Sequence, residues 1–241
     1  MKVSDIQNMH PNNIPPFLLG AMLNKIETKI LFEEDIPKKY FFVFSDYRIH
    51  KKLNDYIIQS GFQQFINNVQ YIGSCQDLQQ YLELSKYYTR NIYNMNSLYI
   101  VDWEVNPLDK CIGFFIENDL EFDKKDFFKM LINKLISCSW LNSNNNSIYF
   151  KNMFLKGFIE PRCSIDTELD FISIDIFYDD QTIIWFKNFF EQNFNTFANL
   201  NFRYYQQNSS GKNPQFRLPL NLYVKNVGID NPYKFARYKL L

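Results

Sequence analysis

A carboxylate-rich stretch runs Asp166-Thr-Glu168-Leu-Asp170, continued by Asp175 and Asp179-Asp180. Carboxylates are what hard divalent cations take as ligands in metal-dependent nucleases, so this stretch is the first to weigh for chemistry. Its spacing argues against that use. On a strand, Asp170 and Asp175 fall on opposite faces because their separation is odd. No following strand carries an acid and a Lys bracketing one residue, the pairing that strand-based nucleases use. These acids read as the solvated edge of a strand.

Other catalytic patterns are as thin. A hydrolase triad needs a nucleophile, a base and an orienting acid. The two histidines are His10, in a Pro-rich lead-in, and His50, at a helix start beside Lys51 and Lys52. Neither accompanies a nucleophile-elbow motif. Seven glycines form no phosphate-cradling loop of either common type. Cys75, Cys111, Cys138 and Cys163 are widely spaced, and neither His completes a metal-ligand set with them. Ser45-Asp46 and Val101-Asp102-Trp103 end apolar runs in the order of a signalling receiver, with Asp102 in the phosphoacceptor place. That reading lacks the usual pair of acids after the first strand and leaves only Lys151 or Lys156 for its Lys. No cofactor is expected.

The sharpest charge asymmetry lies at the C-terminal end. Arg203, Lys212, Arg217, Lys225, Lys234, Arg237 and Lys239 stand there against Asp230, with Tyr204 and Tyr205 interleaved. Such a patch suits nucleic acid or an acidic protein. The formal net charge of the whole chain is zero, so the protein partner is favoured and nucleic acid is not expected. Phe occurs 25 times and Tyr 16, residues of AT-rich codons; the second reading of that excess is an aromatic binding surface.

The elements that would position these residues follow from periodicity. Residues 1–16 read as a lead-in or docking arm, and Phe17–Phe32 as a helix. From 38 to 160, short apolar runs alternate with helical stretches. Tyr40–Phe44, Val69–Ile72, Ser97–Asp102, Cys111–Ile116 and Ser147–Leu155 read as strands. Helices are expected over Ile49–Phe62, from Leu78 to about Tyr88, and behind Asp123, whose side chain caps Phe127–Ile136. Beyond Pro161 come a strand at Leu169–Phe177, a Phe-rich helix at Thr182–Phe197 and strand-like pieces within Leu200–Val224. A last short helix opens at Asn231-Pro232. No internal repeat is visible.

This alternation predicts an α/β fold: a mixed, largely parallel sheet flanked by helices, with a smaller α+β C-terminal part. The divisions are 1–37 as arm and helix, 38–163 as the α/β domain and 164–241 as the C-terminal part, which can pack as one unit with the domain before it.

Residues 40–163 also resemble a known family, the adaptor (chaperone) proteins that load effectors onto the spike of bacterial type VI secretion systems. The resemblance rests on the opening strand ending in Asp46, the turn Gly73-Ser74, the apolar-Asp-Trp element Leu98–Trp103, the helix Phe127–Ile136, and Phe150-Lys151 with Glu160-Pro161-Arg162. It implies a non-catalytic protein that holds a toxin effector for loading, with the effector and the spike as its partners. Trp103, Glu104 and Arg162 would be contact residues, joined by Arg203, Tyr204, Tyr205 and Arg217 of the C-terminal part. The rival is a cytoplasmic immunity protein that neutralises a toxin; a metal-dependent nuclease comes third. With no basic-then-apolar leader and no apolar run of spanning length, the expected location is the cytoplasm, with no membrane partner.

Overall fold

The computed structural model describes residues 2–25, 36–37, 39–45, 68–75, 97–103, 110–142, 147–160, 163–175, 180–205 and 214–228. The helices expected over 49–62, 78–88 and after Pro232 lie outside these residues, as do Asp46, His50 and the loop at 209–212.

The molecule is organised around two helices that touch through their backbones. Helix α1 (Val3–Asn8) and a short 3-10 turn at Pro11–Asn13 lead into α2 (Pro16–Lys25). Helices α3 (Lys124–Ile136), α4 (Ser139–Asn142) and α5 (Ile148–Ile159) follow later in the chain. Helix α2 packs on α5 with a glycine from each at the crossing. A Cβ built on Gly20 would press on the Phe154 carbonyl oxygen and stand 2.8 Å from the Phe158 nitrogen. One on Gly157 would press on the Phe17 carbonyl oxygen, with its carbon at 2.7 Å. The glycines sit in a repeated tetrapeptide, Phe17-Leu-Leu-Gly20 and Phe154-Leu-Lys-Gly157. The expectation of no internal repeat is corrected here: the structure lays one tetrapeptide on the other.

Each of these helices leads in sequence into its own four-stranded sheet. Strands β1 (Lys39–Ser45), β2 (Asn68–Cys75), β3 (Ser97–Trp103) and β4 (Lys110–Glu117) lie in the order β1-β4-β3-β2. Strands β5 (Ser164–Asp166), β6 (Phe171–Asp175), β7 (Arg203–Tyr205) and β8 (Gln215–Pro219) lie in the order β5-β6-β8-β7. The second sheet is antiparallel throughout, and in the first β1 and β3 both run antiparallel to β4. Among the described strands, β2 and β3 are the pair that runs parallel, with a register shift between Tyr71 and Gly73.

The expected largely parallel sheet is therefore corrected to two mainly antiparallel ones. Alternating strand and helix signals suggest crossovers between parallel neighbours, but β1 pairs instead with β4, the last strand of its sheet. The receiver order falls with it. Its fifth strand, read at Ser147–Leu155, is α5, and Lys151 and Lys156 are both helical. Lys151, Phe154, Leu155 and Phe158 are buried on α5 at the spacing of one helical face.

Other elements follow the sequence more closely. Asp123 caps α3 by accepting from the Asp126 amide at 2.7 Å, and Phe127, Met130, Leu131 and Leu135 are buried behind it. Helix α6 (Asp180–Asn193) buries Ile183, Phe186, Phe189 and Phe190; α7 (Asn195–Ala198) and α8 (Leu220–Asn226) complete the described elements. The expected arm at residues 1–16 is seated: Val3, Ile6 and Ile14 are buried, and Lys134 Nζ donates to the Gln7 and Met9 carbonyls at 2.6 Å each.

Many of the described Phe residues go into this core. Phe154, Phe158, Phe186, Phe190, Phe194, Phe202 and Phe216 are all buried. Phe190 stacks on Phe202 at 4.5 Å and meets Phe158 edge-on at 5.1 Å. No helix among the described residues is long and apolar enough to cross a membrane.

Candidate functional site

Two strands of the second sheet have strict alternation, Phe171-Ile-Ser-Ile-Asp175 and Gln215-Phe-Arg-Leu-Pro219. Alternation sends every second side chain to the same side of a sheet. One side is core: Ile165, Ile172, Ile174, Phe216 and Leu218 are buried there. Tyr204 joins them, edge-on to Phe216 at 6.2 Å. Burial, then the charge of Asp180, pushes the Tyr204 hydroxyl's pKa up.

The opposite side meets solvent, and its chemistry is different. The register sets Ser164, Ser173, Arg217 and Arg203 in one row across the four strands. On one flank of that row, Asp166 pairs with Phe171 and Phe171 with Pro219. On the other, Asp175 pairs with Gln215 and Gln215 with Tyr205. Ser164, Arg203 and Tyr205 are exposed, and all the others except the central Ser173 are half-buried.

Arg217 is the centre of this face. Its guanidinium carbon lies 4.5 Å from the Phe171 ring centroid and 4.6 Å from that of Tyr205. Both rings are diagonal neighbours of Arg217 on the same face, a distance long side chains can span. A guanidinium is weakly hydrated and planar, so ring faces hold it while its N–H edge stays available. Its Nη2 donates to Gln215 Oε1 at 3.4 Å, and Gln215 Nε2 in turn donates to Asp175 Oδ1 at 2.8 Å. The Nε of Arg217 is buried without an acceptor, which leaves the terminal Nη pair as the end that can reach outward.

Of the residues singled out in the sequence, the structure brings together Arg203, Tyr205 and Arg217, and it turns Tyr204 to the core side. Trp103 ends β3 in the other sheet, while Glu104 and Arg162 lie outside the described residues. Phe171, Gln215 and Asp175 were not singled out as contacts. Gln215 stands two residues from Arg217 on a strand, and that spacing was the signal for it.

The acidic stretch is turn and edge structure. Asp166 Oδ1 accepts from the Leu169 amide at 2.9 Å, and Asp170 Oδ1 accepts from the Asn221 amide at 3.1 Å. Among the described residues no cluster of three or more His, Cys, Asp or Glu is placed to hold a metal ion.

No family model matches the chain, and no curated protein does. Solved structures with a similar course include mesophilic variants of the homing endonuclease I-DmoI, at 10% identity over 91% of this chain and 97% of that one, with a TM-score of 0.42. I-DmoI in complex with DNA and Ca is similar at 10% identity over 96% of this chain and 100% of that one, TM-score 0.41. These neighbours are endonucleases, one of them held with DNA. The sequence led elsewhere on three points, a non-catalytic adaptor or immunity role, no enzymatic activity, and a protein rather than a nucleic-acid partner, and none of the three has a counterpart among these neighbours.

Proposed function

We propose that this protein binds duplex DNA through the open face of the β5–β8 sheet. The observation that carries the reading is the row Ser164, Ser173, Arg217 and Arg203, flanked by Gln215 and Asp175. Arg, Gln, Ser and Asp are the side chains that match donor and acceptor patterns on base edges, and the major groove is wide enough for paired strands. A face that only neutralised phosphates would be uniformly basic; this one mixes donors with acceptors.

The aromatic residues favour duplex over single strands. Proteins that grip single strands offer free ring faces on which bases stack. Here Phe171 and Tyr205 each give a ring face to Arg217. A cytoplasmic setting suits the buried thiol of Cys138.

Fluorescence anisotropy with a labelled duplex at low salt tests the proposal. Removing both Arg203 and Arg217 as alanines is expected to weaken binding about 10-fold or more. Alanine at Lys129 and Lys187, lysines outside this sheet, should change it less than about 3-fold. Equal losses in the two double variants, or no duplex binding by the wild type, would reject the assignment.

A further inference from the structure

We infer that Arg217 is the specificity residue of this face and reads a guanine in the major groove. The inference rests on the duplex-DNA reading and goes beyond it by naming a base and the side chain that recognises it.

A lone exposed arginine loses rotamer freedom when it docks, and it contacts phosphate as readily as a base. Arg217 has already lost most of that freedom. Phe171 and Tyr205 clamp its plane at 4.5 and 4.6 Å, and its Nε is buried. Gln215 fixes its rotation about that plane through the contact to Nη2, and Asp175 fixes Gln215 in turn. Among the described residues no carboxylate pairs with Arg217.

The position within the sheet matters as well. Arg217 lies on β8, an inner strand with β6 on one side and β7 on the other. A curved duplex on this face would bring its groove floor nearest the inner strands and its phosphates nearest the edges. Arg203, the cross-strand neighbour of Arg217 on the edge strand β7, is then placed for a phosphate. Two parallel N–H groups held in one plane match guanine O6 and N7, an acceptor pair no other base edge presents in the major groove.

Selection from a random duplex pool, followed by anisotropy on the enriched site, is the test. The wild type is expected to enrich a site with one guanine that cannot be exchanged without a loss of about 10-fold or more. Replacing that guanine with 7-deazaguanine removes the N7 acceptor alone and should reproduce a large part of the loss.

Arg217→Lys keeps the charge but has no fork. It should lose part of the discrimination at that position, because an ammonium still reaches O6 or N7 but lacks the planar pair of donors, and it should respond less than wild type to 7-deazaguanine. Tyr205→Leu, which opens one side of the clamp and leaves the arginine, should give discrimination between the two. A lysine variant that discriminates at that guanine as sharply as the wild type would overturn the inference. A wild type that enriches no duplex at all would instead overturn the DNA reading beneath it.

Discussion

Gly157 rests against the carbonyl of Phe17 with no room between them for a side-chain carbon. Gly20 stands in the same relation to Phe154, so α2 and α5 approach as closely as two helical backbones can. Asn24, buried near the end of α2, donates to the Phe158 carbonyl one residue beyond Gly157 and locks the pair in register. Each helix then feeds its own sheet. The crossing therefore sets where the sheet that carries Arg217 begins.

Gly157→Ala should destabilise the protein. In an open helix, Gly→Ala gains about 1 kcal/mol, and overpacking a tight contact costs about 1–3 kcal/mol. Here the added carbon meets backbone, which cannot rotate away, so a net loss of about 2 kcal/mol is expected. Gly20→Ala should behave similarly. The double variant should lose less than the sum, because one separation of the helices relieves both clashes. Urea denaturation reads all three; a Gly157→Ala midpoint at or above wild type would show that the helices are not in contact there.

How much of this was legible without the fold depends on how local each signal is. Asp123 and the apolar positions behind it announce α3, since a cap and a helical face lie within one short stretch. The same holds for the Phe spacing of α6 and the alternation of β6. Helix α5 was read as a strand because Ile148-Tyr-Phe is aromatic and β-branched. Its helical face, Lys151, Phe154, Leu155 and Phe158, lies further along the same stretch, behind that strand-like start. Strand order failed because the β1–β4 pairing joins residues far apart in the chain, such as Lys39 and Glu117. At the site, Arg203, Tyr205 and Arg217 stood out by type. Phe171 did not, and Asp175 stood out only as a metal-ligand candidate, because only the β6–β8 register places them beside Arg217.

The docking of the N-terminal helix should weaken in acid. Asp119 accepts from both the amide and the hydroxyl of Ser4, the amide at 3.0 Å. Desolvation alone would raise its pKa, but the Ser4 hydroxyl and amide, its own amide and the charge of Lys2 together hold it below the ordinary carboxylate value. A carboxylate depressed on folding stabilises fully above its unfolded pKa of about 3.9 and stops doing so as pH falls through the lower folded value. Ser4→Ala should move the Asp119 carboxyl titration upward when followed by NMR. An unmoved titration would show that Ser4 does not hold this carboxylate.

Cys138 should be silent to thiol reagents until the N-terminal segment opens. Burial pushes its thiol up to about 12, against weaker pulls from Trp140 and Lys134, and the side chain has no exposed surface. Its Sγ donates to the Lys134 carbonyl at 3.2 Å and lies 3.7 Å from the Pro11 carbonyl. Lys134 also ties down Gln7 and Met9, so Lys134→Ala should free the segment that covers Cys138. Maleimide labelling at pH 8 with peptide mapping is expected to run several-fold faster at Cys138 in that variant, through local opening. Equal rates would mean that the cover is held by Val3, Ile6 and Ile14 alone.

Arg203 and Arg217 should differ in what their loss does to salt dependence. Arg203 is exposed on the edge strand, where it can release a counterion from a phosphate; Arg217 is held by rings over the sheet. Each phosphate contact contributes about 0.9 to the slope of log K against log salt on duplex DNA. Arg203→Ala should therefore flatten that slope by about 1 and weaken all sequences alike. Arg217→Lys, which keeps its charge, should leave the slope nearly unchanged and alter only the sequence preference. Anisotropy titrations at several salt concentrations separate the two. If Arg217→Lys flattened the slope as much as Arg203→Ala, both arginines would be phosphate contacts, and the clamp around Arg217 would be a feature of stability rather than of reading.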